Sequence, residues 1–168
     1  RFNEIVFGCA DGKVKIGNTS NKSITLYSTE SYVVSLSSSI DGNSFISGHN
    51  DGTIYRYTFP NADTNTPASQ ALVTQVPYVP YSLAWGQHIA VGGNHHALKF
   101  YDIQGNVVQT VDYSHDDSIK EFTCAAVNPS GQTVVFGNYN KFITYVYNGS
   151  KNTWEESNIT QIDNLYSI

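Results

Sequence analysis

Five short stretches carry residue types that could do chemistry. Ser47, His49 and Asp51 supply a hydroxyl, an imidazole and a carboxylate within one turn-rich stretch. Those are the groups of a nucleophile, its base and an orienting acid. His95-His96 is a pair of neighbouring imidazoles of the kind that hold metal ions. Asp112, Asp116, Asp117 and Glu121 gather carboxylates as a calcium site does. Gly92-Gly93-Asn94 is glycine-rich, as phosphate-cradling turns are. Tyr78, Tyr81 and Trp85, near Pro77 and Pro80, form a candidate aromatic contact patch.

The positions argue against most of this chemistry. Ser47, His49 and Asp51 sit at a strand-to-turn junction that recurs along the chain with different residues, so a structural role in the turn is expected. Adjacent residues point in different directions, so His95 and His96 do not share one ion, and no Cys-x-x-Cys or His-x-x-x-His companion exists. The acidic run lacks the glycine and spacing of a calcium loop and reads as a solvated connection, or as a contact for a basic partner. No helix follows Gly92-Gly93-Asn94, which reads as a strand end. Core packing is expected for Tyr81 or Trp85. Cys9 and Cys124 lie in apolar runs and read as reduced, buried thiols of an intracellular protein. The expectation is no catalytic residue, no cofactor and no metal.

Composition narrows the classes further. The net charge is −5 and the nine Lys and Arg residues are scattered. Tracking phosphates needs clustered positive charge, so nucleic acid is not an expected partner. No apolar run approaches the length of a membrane span. Asn18, Asn21, Asn148 and Asn158 head glycosylation-type tripeptides. A chain this rich in Asn, Ser and Thr produces about that number by chance, so they carry no information. Charged residues are 14% of the chain, and 12 Tyr and 8 Phe provide apolar area to bury. Low charge with abundant Tyr, Val, Ser, Thr and Asn favours strands and turns.

One pattern organises these residues. An apolar strand ends in Gly, a turn follows, and another strand begins. The marker glycines are Gly8, Gly48, Gly92 and Gly137, spaced by 40, 44 and 45 residues. The turn after the first two reads Asp11-Gly12 and Asp51-Gly52, whereas His95 and Asn140 replace the Asp later. A short apolar strand precedes three of the glycines, at 32–36, 81–85 and 122–127, and a further strand follows, at 23–27, 71–76 and 106–113. The stretch 61–70 reads as a polar, mobile surface loop in which Asn65→Ala is close to neutral. Four strands every 40–45 residues, without a helical stripe, define propeller blades. Each blade buries both faces against neighbours, which explains apolar runs without strict alternation.

The blades divide as 1–28 (partial), 29–78, 79–115 and 116–160, with 161–168 as the first strand of a further blade. A closed ring typically has four to eight blades, so the expectation is an incomplete segment of a larger all-β propeller. Gly8, Asp11, Gly12, Gly48, Asp51, Gly52, Gly92 and Gly137 are assigned as structural turn positions, each glycine needing either a left-handed backbone or room for a neighbouring blade.

The blades resemble degenerate WD repeats: the Trp-Asp ending is replaced by Tyr57-Thr58 and Tyr101-Asp102. A narrower resemblance runs through the whole chain. It is carried by Ala10-Asp11-Gly12-Lys13-Val14, Thr29-Glu30-Ser31-Tyr32-Val33-Val34-Ser35-Leu36, Ser47-Gly48-His49-Asn50-Asp51-Gly52-Thr53-Ile54, Pro80-Tyr81-Ser82-Leu83-Ala84-Trp85 and Pro129-Ser130-Gly131-Gln132-Thr133-Val134-Val135, with Trp154-Glu155-Glu156 near the end. These words are similar to the first propeller of the family formed by the largest subunits of intraflagellar transport complex B. The resemblance implies a scaffold of ciliary transport trains in the cilium, at the basal body and in the cytoplasm, with two propellers followed by a helical-repeat tail. It implies other complex B subunits as partners, with train neighbours and motor-linked cargo as further ones. Membrane contact stays open.

Two classes of function follow from the residues. One is an interaction scaffold, here or in another cytosolic complex. The other is a ligand-binding or enzymatic propeller working in its central channel. The second needs titratable groups on successive innermost strands. These strands offer Tyr, Val, Ser, Leu, Ala and Cys, which favours the scaffold.

Overall fold

The protein is described here by a computed structural model covering residues 4–162. Among those residues the regular elements are strands without a helix. β1 (Glu4–Gly8), β2 (Lys13–Asn18) and β3 (Ser23–Ser28) form a three-stranded sheet. β4 (Val33–Ser38), β5 (Ser44–His49), β6 (Thr53–Thr58) and β7 (Ser69–Gln75) form the first four-stranded sheet. β8 (Ser82–Trp85), β9 (Ile89–Gly93), β10 (His95–Tyr101) and β11 (Val107–Asp112) form the second. β12 (Cys124–Val127), β13 (Thr133–Asn138), β14 (Lys141–Asn148) and β15 (Thr153–Gln161) form the third. Every sheet is an antiparallel meander in chain order. The first strands of successive four-stranded sheets, β4, β8 and β12, contact one another, so the sheets radiate from a shared inner edge.

The apolar patterning explains this arrangement. Adjacent residues on a strand face opposite sides. Phe45 therefore packs with Val14, Ile16 and Tyr27 of the sheet before it, while Ile46 packs with Leu83, Ile89 and Val91 of the sheet after it. The next seam holds Leu98, Phe100, Val134, Phe136, Ile143, Tyr145 and Trp154. Three cores separate four sheets, and β5 is buried almost throughout because it has one core on either side.

The expected inner strands at 32–36, 81–85 and 122–127 are present as β4, β8 and β12, with shifted starts. Phe122 is a plug in the third core instead of a strand residue. The stretch 61–70 departs from a simple loop. Ser69 and Gln70 belong to β7, and Asn61 closes an isolated bridge with Thr66, its side chain accepting the Asp63 amide at 2.9 Å. β15 occupies a stretch in which no strand pattern is visible, and it ends at Gln161, one residue beyond the expected limit of 160. The further strand expected within 161–168 falls, from residue 163 onward, outside the described residues.

Candidate functional site

The residues with chemical potential converge on the seams between sheets. Gly48, Gly92 and Gly137 are each the penultimate residue of their strand, with β5, β9 and β13 running one residue further, whereas Gly8 ends β1. None of the four has a left-handed backbone. The close-approach alternative therefore holds wherever neighbours are described. A Cβ on Gly48 would lie 2.5 Å from Ser35 Oγ and 3.0 Å from Pro80 Cγ, in the segment leading into the next sheet. On Gly92 it would lie 2.7 Å from Ser82 Oγ and 2.8 Å from Phe122 Cβ, again in the segment leading into the next sheet, and on Gly8 it would overlap Val33.

Gly12 and Gly52 are different: φ is +80° and +86°. Asp51 accepts the Thr53 amide at 3.0 Å and the Thr53 hydroxyl at 2.6 Å, and Asp11 accepts the Lys13 amide at 3.2 Å. For Asp51, partial burial opposes ionisation, but the Thr53 bonds outweigh it and hold the carboxyl below its ordinary value. The carbonyls of Gly12 and Gly52 take the amides of Thr29 and Val76, where the chain leaves the last strand of its sheet. His96 O and Asn140 O do the same for Tyr113 and Ile162. The latch is made by backbone, so it survives loss of the Asp in two of the four turns.

The position after each marker glycine is a second recurrent post: Cys9, His49, Gly93 and Asn138. His49 Nδ1 lies 2.8 Å from Ser31 O and 3.0 Å from Thr29 Oγ1, and Nε2 lies 2.8 Å from Ser47 Oγ. A carbonyl only accepts, so Nδ1 carries the proton and Ser47 donates to Nε2. Tyr27 OH lies 2.6 Å from Ser47 Oγ and completes the relay across the first seam. Burial pushes the Tyr27 phenol up to about 12, against the lowering effect of Ser47. Asp51 takes no part, and Ser47 and His49 are fully buried, so the trio has the types of a hydrolytic triad without its geometry or access. Asn138 does the same work, donating from Nδ2 to Glu121 O at 2.6 Å. In the middle sheet Gly93 leaves room for Val79 O, and Asn94 Oδ1 accepts the Val79 amide at 2.8 Å.

The last seam is joined by polar clasps. The Gln109 side chain mimics a peptide: it donates to Trp154 O at 2.8 Å and accepts Trp154 N at 2.7 Å. The Trp154 indole stacks on Phe100 and donates to His88 Nδ1 at 3.2 Å. Tyr113 OH bonds Tyr145 OH and donates to Glu156 at 2.5 Å. Burial and then the Glu156 carboxylate push the Tyr113 phenol far above its ordinary value.

The remaining candidates disperse. His95 stacks on Tyr78 with ring centroids 5.1 Å apart, while His96 Nδ1 meets Ile119 O at 2.8 Å. Asp112 caps the Ser114 amide and Asp116 the Ser118 amide, so the acidic run folds onto its own turns. Among the described residues no three His, Cys, Asp or Glu side chains converge as metal ligands. Tyr78 and Trp85 are buried in the second core, whereas Tyr81 is exposed. Cys9 and Cys124 are free thiols, partly rather than fully buried.

This architecture and its seams define a WD-type β-propeller segment. A WD40 propeller chain in the crystal structure of the mitotic checkpoint complex superposes with a TM-score of 0.72 over 98% of this chain and 54% of that one. At 18% identity that likeness shows the fold alone. No protein-family model matches the chain. Curated relatives do: intraflagellar transport protein 172 of Chlamydomonas reinhardtii is 50% identical over 100% of the chain, and its human homolog is 43% identical over 98%. Intraflagellar transport protein osm-1 of Caenorhabditis elegans is 34% identical over 98%. The chain is a propeller segment of the intraflagellar transport protein 172 family. It spans about a tenth of these relatives' length.

Proposed function

We propose that this segment is a non-catalytic scaffold within a subunit of intraflagellar transport complex B. In this reading it supports assembly of ciliary transport trains and cargo movement along the axoneme, for cilium assembly and maintenance. Other complex B subunits are its partners, with train neighbours or motor-linked cargo as further ones, acting in the cilium, at the basal body and in the cytoplasm. The observation that carries the proposal is full-length similarity, at 34–50% identity, to proteins named for intraflagellar transport. The seams support it: imidazoles, hydroxyls and amides are engaged in joining sheets, which fixes shape. The blades at 1–28, 29–78, 79–115 and 116–160, and the turn positions Gly8, Asp11, Gly12, Gly48, Asp51, Gly52, Gly92 and Gly137, are proposed to serve that rigidity.

The test is co-purification of the full-length subunit with complex B from ciliated cells, comparing wild type with Gly48→Val. The expected result is reduced recovery of partners and slowed or sparse trains in the variant. A variant whose propeller is measurably distorted, yet which assembles and moves as wild type does, would overturn the proposal.

A further inference from the structure

Arg56 is half-buried on β6, and among the described residues its guanidinium has no hydrogen-bond or ion-pair partner. It shares a strand face with Ile54, which packs in the second core, so it stands at the mouth of the seam between the first and second four-stranded sheets. There it lines a cavity of about 330 Å³ with Ser44, Trp85, Ile40 and Ile103. Ile40 and Ile103 are 50% and 44% exposed and form an apolar rim. A half-buried guanidinium without a counter-charge is a ready partner for a ligand that supplies one.

Asp41 lines the same cavity and Asp102 precedes Ile103 in the chain, and both carboxylates are turned to their own loops. Asp41 accepts from Ser39 Oγ at 2.6 Å, from the Asn43 amide at 3.0 Å and from Asn43 Nδ2 at 3.0 Å. Asp102 accepts the Gln104 and Asn106 amides, each at 2.9 Å, and Asn106 Nδ2 at 2.8 Å. These bonds keep both ionised and occupied, and Arg56 stays available. A free phosphate would leave the apolar rim unused, and an anionic membrane would press many headgroup charges against Asp41, whereas a peptide can present a single carboxylate to Arg56.

We propose that this seam mouth binds a peptide of a protein partner carrying Asp or Glu beside a bulky aliphatic or aromatic residue. The carboxylate pairs with Arg56, and the apolar neighbour packs on Trp85 between Ile40 and Ile103. The proposal rests on the scaffold reading and fails separately from it, because peptide binding can be absent while co-purification with complex B persists.

The experiment uses the immobilised full-length protein and a phage library displaying random dodecapeptides. Enriched peptides are then synthesised and measured by fluorescence anisotropy. The expected peptides combine an acidic and an apolar residue. Arg56→Gln and, independently, Ile103→Asp weaken them by about tenfold or more, while Arg56→Lys retains part of the affinity. Unchanged hydrogen-exchange protection in β5 and β6 shows that Arg56→Gln is folded. Enrichment without acidic residues, no enrichment, or equal affinity for wild type and Arg56→Gln overturns the proposal. So does Arg56-dependent binding to phosphatidylserine vesicles in place of peptide.

Discussion

At the scale of single residues, the protein spends its reactive side chains on geometry. His49 shows why: Nδ1 is held on Ser31 O and Nε2 on Ser47, and both the ring and Ser47 are fully buried, so no outside group can reach the pair for proton transfer. Gly48 shows the steric side of the same rule. Its backbone is ordinary, so the cost of a side chain comes from Ser35, Pro80 and Leu83. Pro80 is rigid and sits in the segment that leads into the next sheet. Gly48→Val is therefore expected to lose about 2–3 kcal/mol, the range for overpacking, read as a lower melting temperature of the propeller in the full-length protein. An unchanged melting temperature would mean the seam accommodates a branched side chain. Asn65 corrects an expectation drawn from composition. Its φ is +51°, a conformation Asn tolerates better than Ala. Asn65→Ala is expected to cost about 1 kcal/mol and Asn65→Gly less, which thermal melts of the two variants would separate.

At the scale of elements, what could be read from sequence depended on burial. The inner strands β8 and β12 and the strands β9 and β13 behind them carry apolar residues on both faces, so their pattern is visible. β15 buries little besides Trp154, and a strand with one anchor leaves no period to find. The clasps were hidden for another reason: Gln109 and Trp154 are 45 residues apart, and nothing local to either names the other. Register is equally silent. In every sheet the last two strands meet with a one-residue shift, which twists the outer edge and discourages pairing with other chains. The residues left unpaired there are Leu26, Val73, Val108 and Ser157, which follow no single type. The His88–Trp154 clasp gives a pH-dependent prediction. Burial holds the His88 imidazole below its ordinary value of 6.5, with Asp102 opposing. The unfolded chain then binds the proton first, so stability falls as pH drops below about 6.5 and through the folded value. A protonated Nδ1 also cannot accept the indole N–H. His88→Gln keeps an acceptor without the charge. Its melting temperature is expected to fall less than that of wild type from about pH 7 to about pH 5.5. Parallel curves would remove His88 from the acid response.

At the scale of the molecule, the sheets form a one-dimensional array in which each core is shared by two neighbours. Stability in such an array is a sum of sheet and seam contributions, so damage travels by contact rather than globally. The three cores make this concrete, because Ile46 and Ile54 belong to the second and no residue of β5 or β6 enters the third. Gly48 abuts Pro80 and Leu83, which places the disturbance of Gly48→Val at the second seam. The relay of Tyr27, Ser47 and His49 lies on the other face of β5, so the first seam is expected to loosen next. The third seam has its own clasps at Gln109, Tyr113 and Trp154 and shares only the middle sheet with the second. Native-state hydrogen exchange of the full-length protein can read this order directly. Amides of β5, β6, β8 and β9 in Gly48→Val are expected to exchange faster by about thirtyfold, matching a loss of about 2 kcal/mol. Amides of β13 and β14 are expected to change by less than about threefold. Uniform acceleration across all four sheets would instead mean that the propeller opens as a single cooperative unit, and the independence of its seams would have to be abandoned.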